Sequence, residues 1–159
     1  MNERQKKRLL FIDSHDEWLK FVNKALSEDY DVHTTGIFAS LSKMAAGGRS
    51  FDLIFIGLNI AEQNMSELSD LAQTSMWSFV VLFPGSPDGK VSRIFFKAGV
   101  RDLLSKPYDE ETLRKMVEEE IIAVQKYQER TKKTKTQDDY VSQVLNLWNT
   151  IDPINSNSL

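Results

Sequence analysis

The stretch Phe51-Asp52-Leu53-Ile54-Phe55-Ile56-Gly57-Leu58-Asn59 decides how the rest of the chain is read. Residues 53–56 are apolar without interruption and are closed by a glycine. So short a run, apolar at every position rather than at alternate ones, suits a central parallel strand covered on both faces. Asp52 and Asn59 bound it with polar side chains. In open parallel sheets, ligand chemistry gathers just beyond the carboxyl ends of the strands, at the switch point in strand order. Position 57 therefore faces the place where a reaction would occur, and glycine brings no side chain to it.

On the amino-terminal side, Leu9 to Ile12 reads as another buried strand. Ser14-His15-Asp16-Glu17 has the form of a capping box, with Ser14 as N-cap and Glu17 at the third helical position. Trp18, Phe21, Val22 and Ala25 then recur at helical spacing. Tyr30 to Thr34 is a weaker, partly polar strand, as expected at a sheet edge. Ile37, Leu41 and Met44 mark a second helix that Gly47-Gly48 can stop.

On the carboxyl-terminal side, a third helix falls near Ser66 to Thr74, followed by the apolar strand Phe79–Phe83. Val91, Ile94, Phe95 and Ala98 define a fourth helix ending near Gly99, and Asp102 to Ser105 is a short fifth strand. After Lys106-Pro107 a fifth helix opens at Asp109, with Glu110 and Glu111 at its positive end. Leu113, Met116, Val117, Ile121 and Val124 form its buried stripe. Five strands alternating with five helices predict a doubly wound α/β sandwich with a parallel sheet. The three strong runs belong at the centre and the weaker second and fifth at the edges, which is the flavodoxin-like order 2-1-3-4-5.

Residues 1–124 thus make one domain. Residues 125–135 are a basic linker or the end of the fifth helix, since Lys126 to Lys135 holds five basic residues and one acid without an apolar stripe. Residues 136–151 read as an extra C-terminal helix: Thr136 and Asp139 repeat the capping-box pattern, and Asp152-Pro153 ends it. Its apolar face is Tyr140, Val144, Leu147, Trp148 and Ile151. Residues 152–159 have the composition of a disordered tail. The stripe has three candidate partners: its own domain, a second copy in a homodimer, or a groove on another protein.

The composition excludes several classes of function. A net charge of −3 gives no general attraction to nucleic acid or an anionic membrane. The chain has no cysteine, hence no disulfide framework and no thiolate metal site. Its basic start is followed by too short an apolar run for a signal peptide, and no run of 18 apolar residues occurs, so a cytoplasmic location is expected.

Several positions converge where the strands end, and there a resemblance emerges. Leu10-Phe-Ile-Asp13, Phe51-Asp-Leu-Ile-Phe-Ile-Gly57, Val80-Val-Leu-Phe83 and Ala98-Gly-Val-Arg-Asp-Leu-Leu-Ser-Lys106-Pro107 together resemble a response-regulator receiver domain (CheY-like). The likeness spans roughly residues 8 to 124, and Lys106-Pro107 after the fifth strand is its most specific token. The resemblance implies a phosphoryl switch of two-component, phosphorelay-type signalling. In that family an acidic pair holds Mg²⁺ and an aspartate on the third strand accepts a phosphoryl group from a histidine kinase. A Thr or Ser on the fourth strand and an aromatic on the fifth respond, while the lysine contacts the phosphoryl oxygens. Such chemistry needs a carboxylate nucleophile, a divalent ion against the phosphate charge, and a cation opposite it.

The sequence departs from that pattern at most of its positions. Ser14 stands beside Asp13 in place of the second acid, Gly57 takes the phosphoacceptor position, Phe83 the Thr/Ser position and Leu103 the aromatic one. Ile60-Ala61 replaces the usual Met-Pro after the third strand. Asp52 cannot substitute, because it lies about 16 Å away at the other end of the strand. Asp13, Ser14, Gly57, Asn59, Phe83, Leu103, Lys106 and Pro107 are therefore the members of a degenerate phosphorylation pocket, a pseudo-receiver with weak or absent Mg²⁺ binding, no catalytic residue and no resident cofactor. Asp13 and Lys106 are each other's expected partners. The Phe83 ring is expected to fill the space over Gly57. Function then rests on binding another signalling protein, independently of phosphorylation. A receiver phosphorylated at some other residue is the first alternative.

Competing chemistry is weaker. Gly85-Ser-Pro-Asp-Gly89-Lys90 sits between a strand and a helix like a phosphate loop, yet three residues separate its glycines where four are needed, and Val91 replaces the Mg²⁺-binding Ser/Thr. A nucleotide-binding enzyme on this fold is a distant alternative. Asp13, His15 and Asp16 on one turn are poor evidence for a metal site. The basic run lacks the aromatic platform of a nucleic-acid interface.

Overall fold

The structure, a computed structural model, describes the backbone of residues 5–74 and 77–151 and the side chains of residues 5–74 and 77–130. Five parallel strands, β1 (Arg8–Ile12), β2 (Asp31–Thr35), β3 (Leu53–Gly57), β4 (Phe79–Phe83) and β5 (Asp102–Ser105), form one sheet in the order β2-β1-β3-β4-β5. Its helices are α1 (Asp16–Leu26), α2 (Ala39–Ala46), α3 (Leu58–Gln63), α4 (Met65–Thr74), α5 (Gly89–Lys97) and α6 (Glu110–Ile151). The three apolar runs lie together at the centre, in register Leu9↔Leu53 to Ile12↔Ile56 and Ile54↔Phe79 to Gly57↔Leu82. The partly polar strands take the edges. This is the expected doubly wound, CheY-like arrangement, and Gly57 stands at the carboxyl end of the middle strand.

The pleat sends alternate side chains to opposite faces. Leu10, Ile12, Ile54, Ile56, Phe79, Val81 and Phe83 enter one core cluster with Leu41, Ile60, Leu68, Phe95 and Leu103. On the other face Phe11 stacks on Phe55, with ring centroids 4.6 Å apart, and meets Trp18 of α1 edge-on at 6.0 Å. Both faces exclude water: Leu9, Leu10, Phe11 and residues 53–56 are fully buried. At about 25 cal/mol per Å² of apolar surface, each such side chain contributes about 1.5–3 kcal/mol.

The helices differ from the sequence reading in four places. Ser14 is not the cap of α1; His15 occupies that position with extended backbone and no side-chain cap. The segment after Gly57, where no helix is expected from the sequence, winds directly into α3, and Asn64 separates it from α4 by donating its side-chain amide to Ile60 O at 2.8 Å. Ile37 and Ile94, assigned to buried stripes, are 63% and 57% exposed. Phe38, one residue beyond Ile37, is buried in its place, while Phe95, already part of the fourth-helix pattern, is buried beside the exposed Ile94. Lastly, of the two readings of residues 125–135, linker or end of the fifth helix, the backbone follows the second and carries on unbroken to Ile151, so residues 136–151 are not a separate helix; no glycine or proline lies between Glu110 and Ile151 to stop it.

The chain divides into two compact units, residues 1–121 and 122–159. The second is helical as far as Ile151. The side chains of Tyr140, Val144, Leu147, Trp148 and Ile151, and all of residues 152–159, lie outside the described residues. Among the described residues, no helix is long and apolar enough to cross a membrane.

Candidate functional site: the pocket at the strand ends

Asp13 follows β1 directly, and its backbone N–H donates to Thr35 O at 3.1 Å, continuing the β1–β2 ladder by one bond. Lys106 follows β5 and donates its N–H to Phe83 O at 2.7 Å. Each residue is held by the last bond of an edge pairing, so their side chains project from opposite sides over β3. They meet there: Lys106 Nζ lies 2.8 Å from Asp13 Oδ2, with 7% and 4% of the two side chains exposed.

Asp13 is engaged at both oxygens. Its Oδ1 accepts the backbone N–H of His15 at 2.9 Å and stands 3.3 Å from His15 Nδ1, on a ring that is 72% exposed. Lys106 is covered on its other side by the indole of Trp18, 4.4 Å from Nζ to the ring centroid. Such a cation–π contact is worth about 2 kcal/mol where water is excluded. Trp18 is fixed in turn, since its Nε1–H donates to Pro107 O at 2.8 Å.

Gly57 makes this closure possible. A Cβ at position 57 would lie 2.9 Å from Asp13 Oδ2 and 3.3 Å from its Cγ, closer than ordinary contact. The glycine backbone is extended, with φ −64° and ψ 144°, so no unusual torsion demands the residue. What demands it is the space that the Asp13 carboxylate occupies. The cavity that remains, lined by Asp13, Ser14, Gly57, Asn59, Leu82 and Lys106, has a volume of about 40 Å³. It has room for a few waters.

The structure thus brings Asp13, Ser14, Gly57, Asn59 and Lys106 together at one site, while Pro107 is not in the cavity lining and instead offers its carbonyl to Trp18. It does not bring Phe83 there. The Phe83 ring lies 3% exposed in the core, edge-on to Phe95 at 6.2 Å, and is absent from the cavity lining. The pleat is the reason: Phe83 shares a face with Val81 and Phe79, while Leu82 is paired with Gly57. Leu103 is likewise a core residue, 8% exposed. Ser14 lines the cavity with an exposed side chain.

Two participants escape the sequence reading. His15 counts there only as part of a weak metal cluster, and Trp18 only as part of a helix stripe. The signal for Trp18 is its indole N–H, which needs an acceptor once buried.

The residues do not fit Mg²⁺. A hard divalent ion needs several free oxygens. Here the one carboxylate is committed to an ammonium group and to a backbone amide. Among the described residues no group of three or more His, Asp or Glu is placed to hold a metal ion. The Pro84–Lys90 segment is a turn into α5, capped by Asp88, whose side chain accepts Lys90 N–H at 2.8 Å.

No protein-family model and no curated relative matches the sequence. Solved structures do resemble the fold. The signal receiver domain of an HD domain-containing protein from Pseudomonas fluorescens superposes with a TM-score of 0.64 at 21% identity, covering 82% of this chain and 97% of that one. A CheY-like receiver domain protein from Methanospirillum hungatei gives 0.64 at 18% identity, covering 77% and 99%. A response regulator from Thermotoga maritima gives 0.63 at 18% identity, covering 74% and 98%. At these identities the likeness establishes the receiver fold.

Proposed function

We propose that the chain is a degenerate receiver domain that serves two-component-type signalling as a protein-binding module, without enzymatic activity and without phosphorylation at the strand-end pocket. The single observation that carries this reading is the 2.8 Å contact of Asp13 with Lys106, made over a position with no side chain. The pocket's cation is already neutralised by a residue of the chain itself, and the phosphoacceptor position holds Gly57. A phosphoryl group has neither an attachment point nor a free counter-charge there.

The proposed partner is another signalling protein in the cytoplasm. The face Tyr140, Val144, Leu147, Trp148 and Ile151 of α6 is assigned to that contact or to a homodimer; neither membrane nor nucleic acid is assigned a part. The reading is tested by affinity capture with the intact chain and with residues 1–124, each with and without Mg²⁺ and acetyl phosphate. Partner retention that depends on residues 125–159 and ignores the phosphodonor supports it. Capture that requires the phosphodonor overturns it.

A further inference from the structure

Strand β2 closes the sheet on one side with an edge that its sequence leaves unguarded. Its five residues, Asp31-Val32-His33-Thr34-Thr35, pair one to one with β1 without a bulge. They include no proline, lysine or arginine, the usual devices against edge pairing. Asp31 is the one permanent charge, and the domain occupies it: Arg8 Nε stands 3.2 Å from Oδ2, and His33 Nε2 3.2 Å from Oδ1. His33 is held edge-on to Phe51, with ring centroids 5.7 Å apart. Backbone bonds at the two ends of the strand fix which residues face outward. Asp31 N–H donates to Lys7 O at 2.9 Å, and Thr35 O accepts Asp13 N–H at 3.1 Å, so positions 31, 33 and 35 face β1. Val32 and Thr34 turn their N–H and C=O groups away from the sheet, and Thr34 is exposed.

We infer that β2 is a self-association edge, pairing antiparallel with β2 of a second copy about a two-fold axis at His33. In that register Val32 lies opposite Thr34 of the second copy, and Thr34 opposite its Val32, so every outward N–H of the two edges meets an outward C=O. The occupant is a second copy because β2 matches itself. Val32 and Thr34 form β-branched cross-strand pairs on one face, and on the other Asp31 meets Thr35, so like charges are never opposite. Thr35 Oγ1 already accepts Ile37 N–H at 3.2 Å, which leaves its O–H to donate to the Asp31 carboxylate across the axis. The same register sets Gly36-Ile37 against Asp29-Tyr30 of the second copy. That contact covers Ile37, which is 63% exposed in the single chain. Closed two-fold pairing is the commonest form of soluble homo-oligomer. The pairing goes beyond the function proposed above and is independent of the part given there to α6.

The test uses the full-length chain labelled with ¹⁵N, with molar mass from sedimentation and amide hydrogen exchange read residue by residue by NMR. The expected result is a dimer in which the Val32 and Thr34 amides are protected. Their exchange should slow by about tenfold for a rise of about a hundredfold in protein concentration above the dissociation constant, because the free monomer fraction falls as its square root. Thr34→Pro removes an outward N–H at an edge position that tolerates proline, and should restore the monomer and fast exchange at Val32. Thr35→Asp, which sets like charges opposite each other, should weaken the dimer, and Thr35→Lys should tighten it. A monomeric wild-type chain overturns the proposal. So does a dimer whose Val32 and Thr34 amides exchange as fast as those of a free edge, since its copies are then held together elsewhere. Both overturning results are read from the wild-type chain and do not require a variant to fold.

Discussion

The carboxylate of Asp13 and the ammonium group of Lys106 meet at 2.8 Å with less than a tenth of either side chain exposed. The contact is drier than an open pocket mouth would make it, and that raises what is lost when one partner goes. Removing one side of a buried pair costs about 3–5 kcal/mol, because the remaining charge is left without a partner. Asp13→Asn and Lys106→Met should each approach that range in denaturant melts. The double variant should lose far less than the sum, since neither charge then remains. Additive losses would show that the two residues do not act as a pair.

Gly57→Ala should destabilise the domain by about 1–3 kcal/mol, the usual cost of overpacking. The backbone at 57 suits any residue, so the whole effect must come from the 2.9 Å approach to Asp13 Oδ2. The control is Asp13→Ala, which removes that oxygen. In its background Gly57→Ala should cost nothing or stabilise slightly. An equal cost in both backgrounds would show that something other than Asp13 excludes a side chain there.

Trp18→Phe should cost about 1–3 kcal/mol. It removes the Nε1–H bond to Pro107 O and leaves that buried carbonyl unpaired. It also replaces the indole over Lys106 with a smaller ring. Urea unfolding of the full-length variant measures the loss. A neutral result would mean that water takes over the Pro107 carbonyl, and that the indole contributes only packing.

The fold was legible because it rests on apolar runs and their punctuation. Residues 53–56 and 79–83 can be satisfied only where both faces are covered, and the partly polar Asp31–Thr35 only at an edge. The composition of the pocket was legible for the same reason: strand ends fix where Asp13, Gly57 and Lys106 stand. What fills the space over Gly57 was not. Whether a neighbouring ring or a neighbouring carboxylate moves in depends on which face each side chain takes, and one residue of register separates Phe83 from Leu82. The same single-residue ambiguity exchanged Ile37 for Phe38 as the buried residue, and put the exposed Ile94 in one helix pattern with the buried Phe95. Glu120 and Asp102 gave no sequence signal at all, since an acid on a charged helix is ordinarily solvated.

Stability should fall as pH rises through neutrality, and Glu120 sets the sign. Its carboxyl titrates at about 8 in the folded chain, against an ordinary value of 4.5, chiefly because of burial and then because of Asp102. Between those limits the folded state binds a proton that the unfolded state has released. The contribution is intact below about 4.5 and is lost progressively towards pH 8, with a slope of at most about 1.4 kcal/mol per pH unit for one proton. Glu120→Gln has no proton to lose and should flatten that limb of the stability profile. Parallel wild-type and variant profiles between pH 5 and 8 would assign the dependence to other groups.

Incubation with Mg²⁺ and acetyl phosphate should leave the mass of the chain unchanged at the strand-end pocket. Position 57 offers no nucleophile, and Asp13, the nearest carboxylate, is bonded at both oxygens. The Mg²⁺ site lacks its second acid, and Phe83 points into the core rather than toward the cavity. Restoring the nucleophile alone should fail too, for a reason that the geometry makes specific. A side chain at 57 displaces the Asp13 carboxylate from 2.9 Å, and in Gly57→Asp the newcomer is a like charge competing for one lysine. That competition costs stability before any metal can bind. Recovery should require Ser14→Asp as well, to hold the divalent ion that would reconcile three carboxylates with a single cation; Phe83→Thr should add nothing, because position 83 faces the core and not the cavity. Intact-mass spectrometry distinguishes the cases. An acid-resistant, base-labile gain of one phosphoryl group on the wild-type chain would refute the phosphorylation-independent reading. The same gain in Gly57→Asp alone would show that the Asp13–Lys106 contact yields more readily than its burial implies.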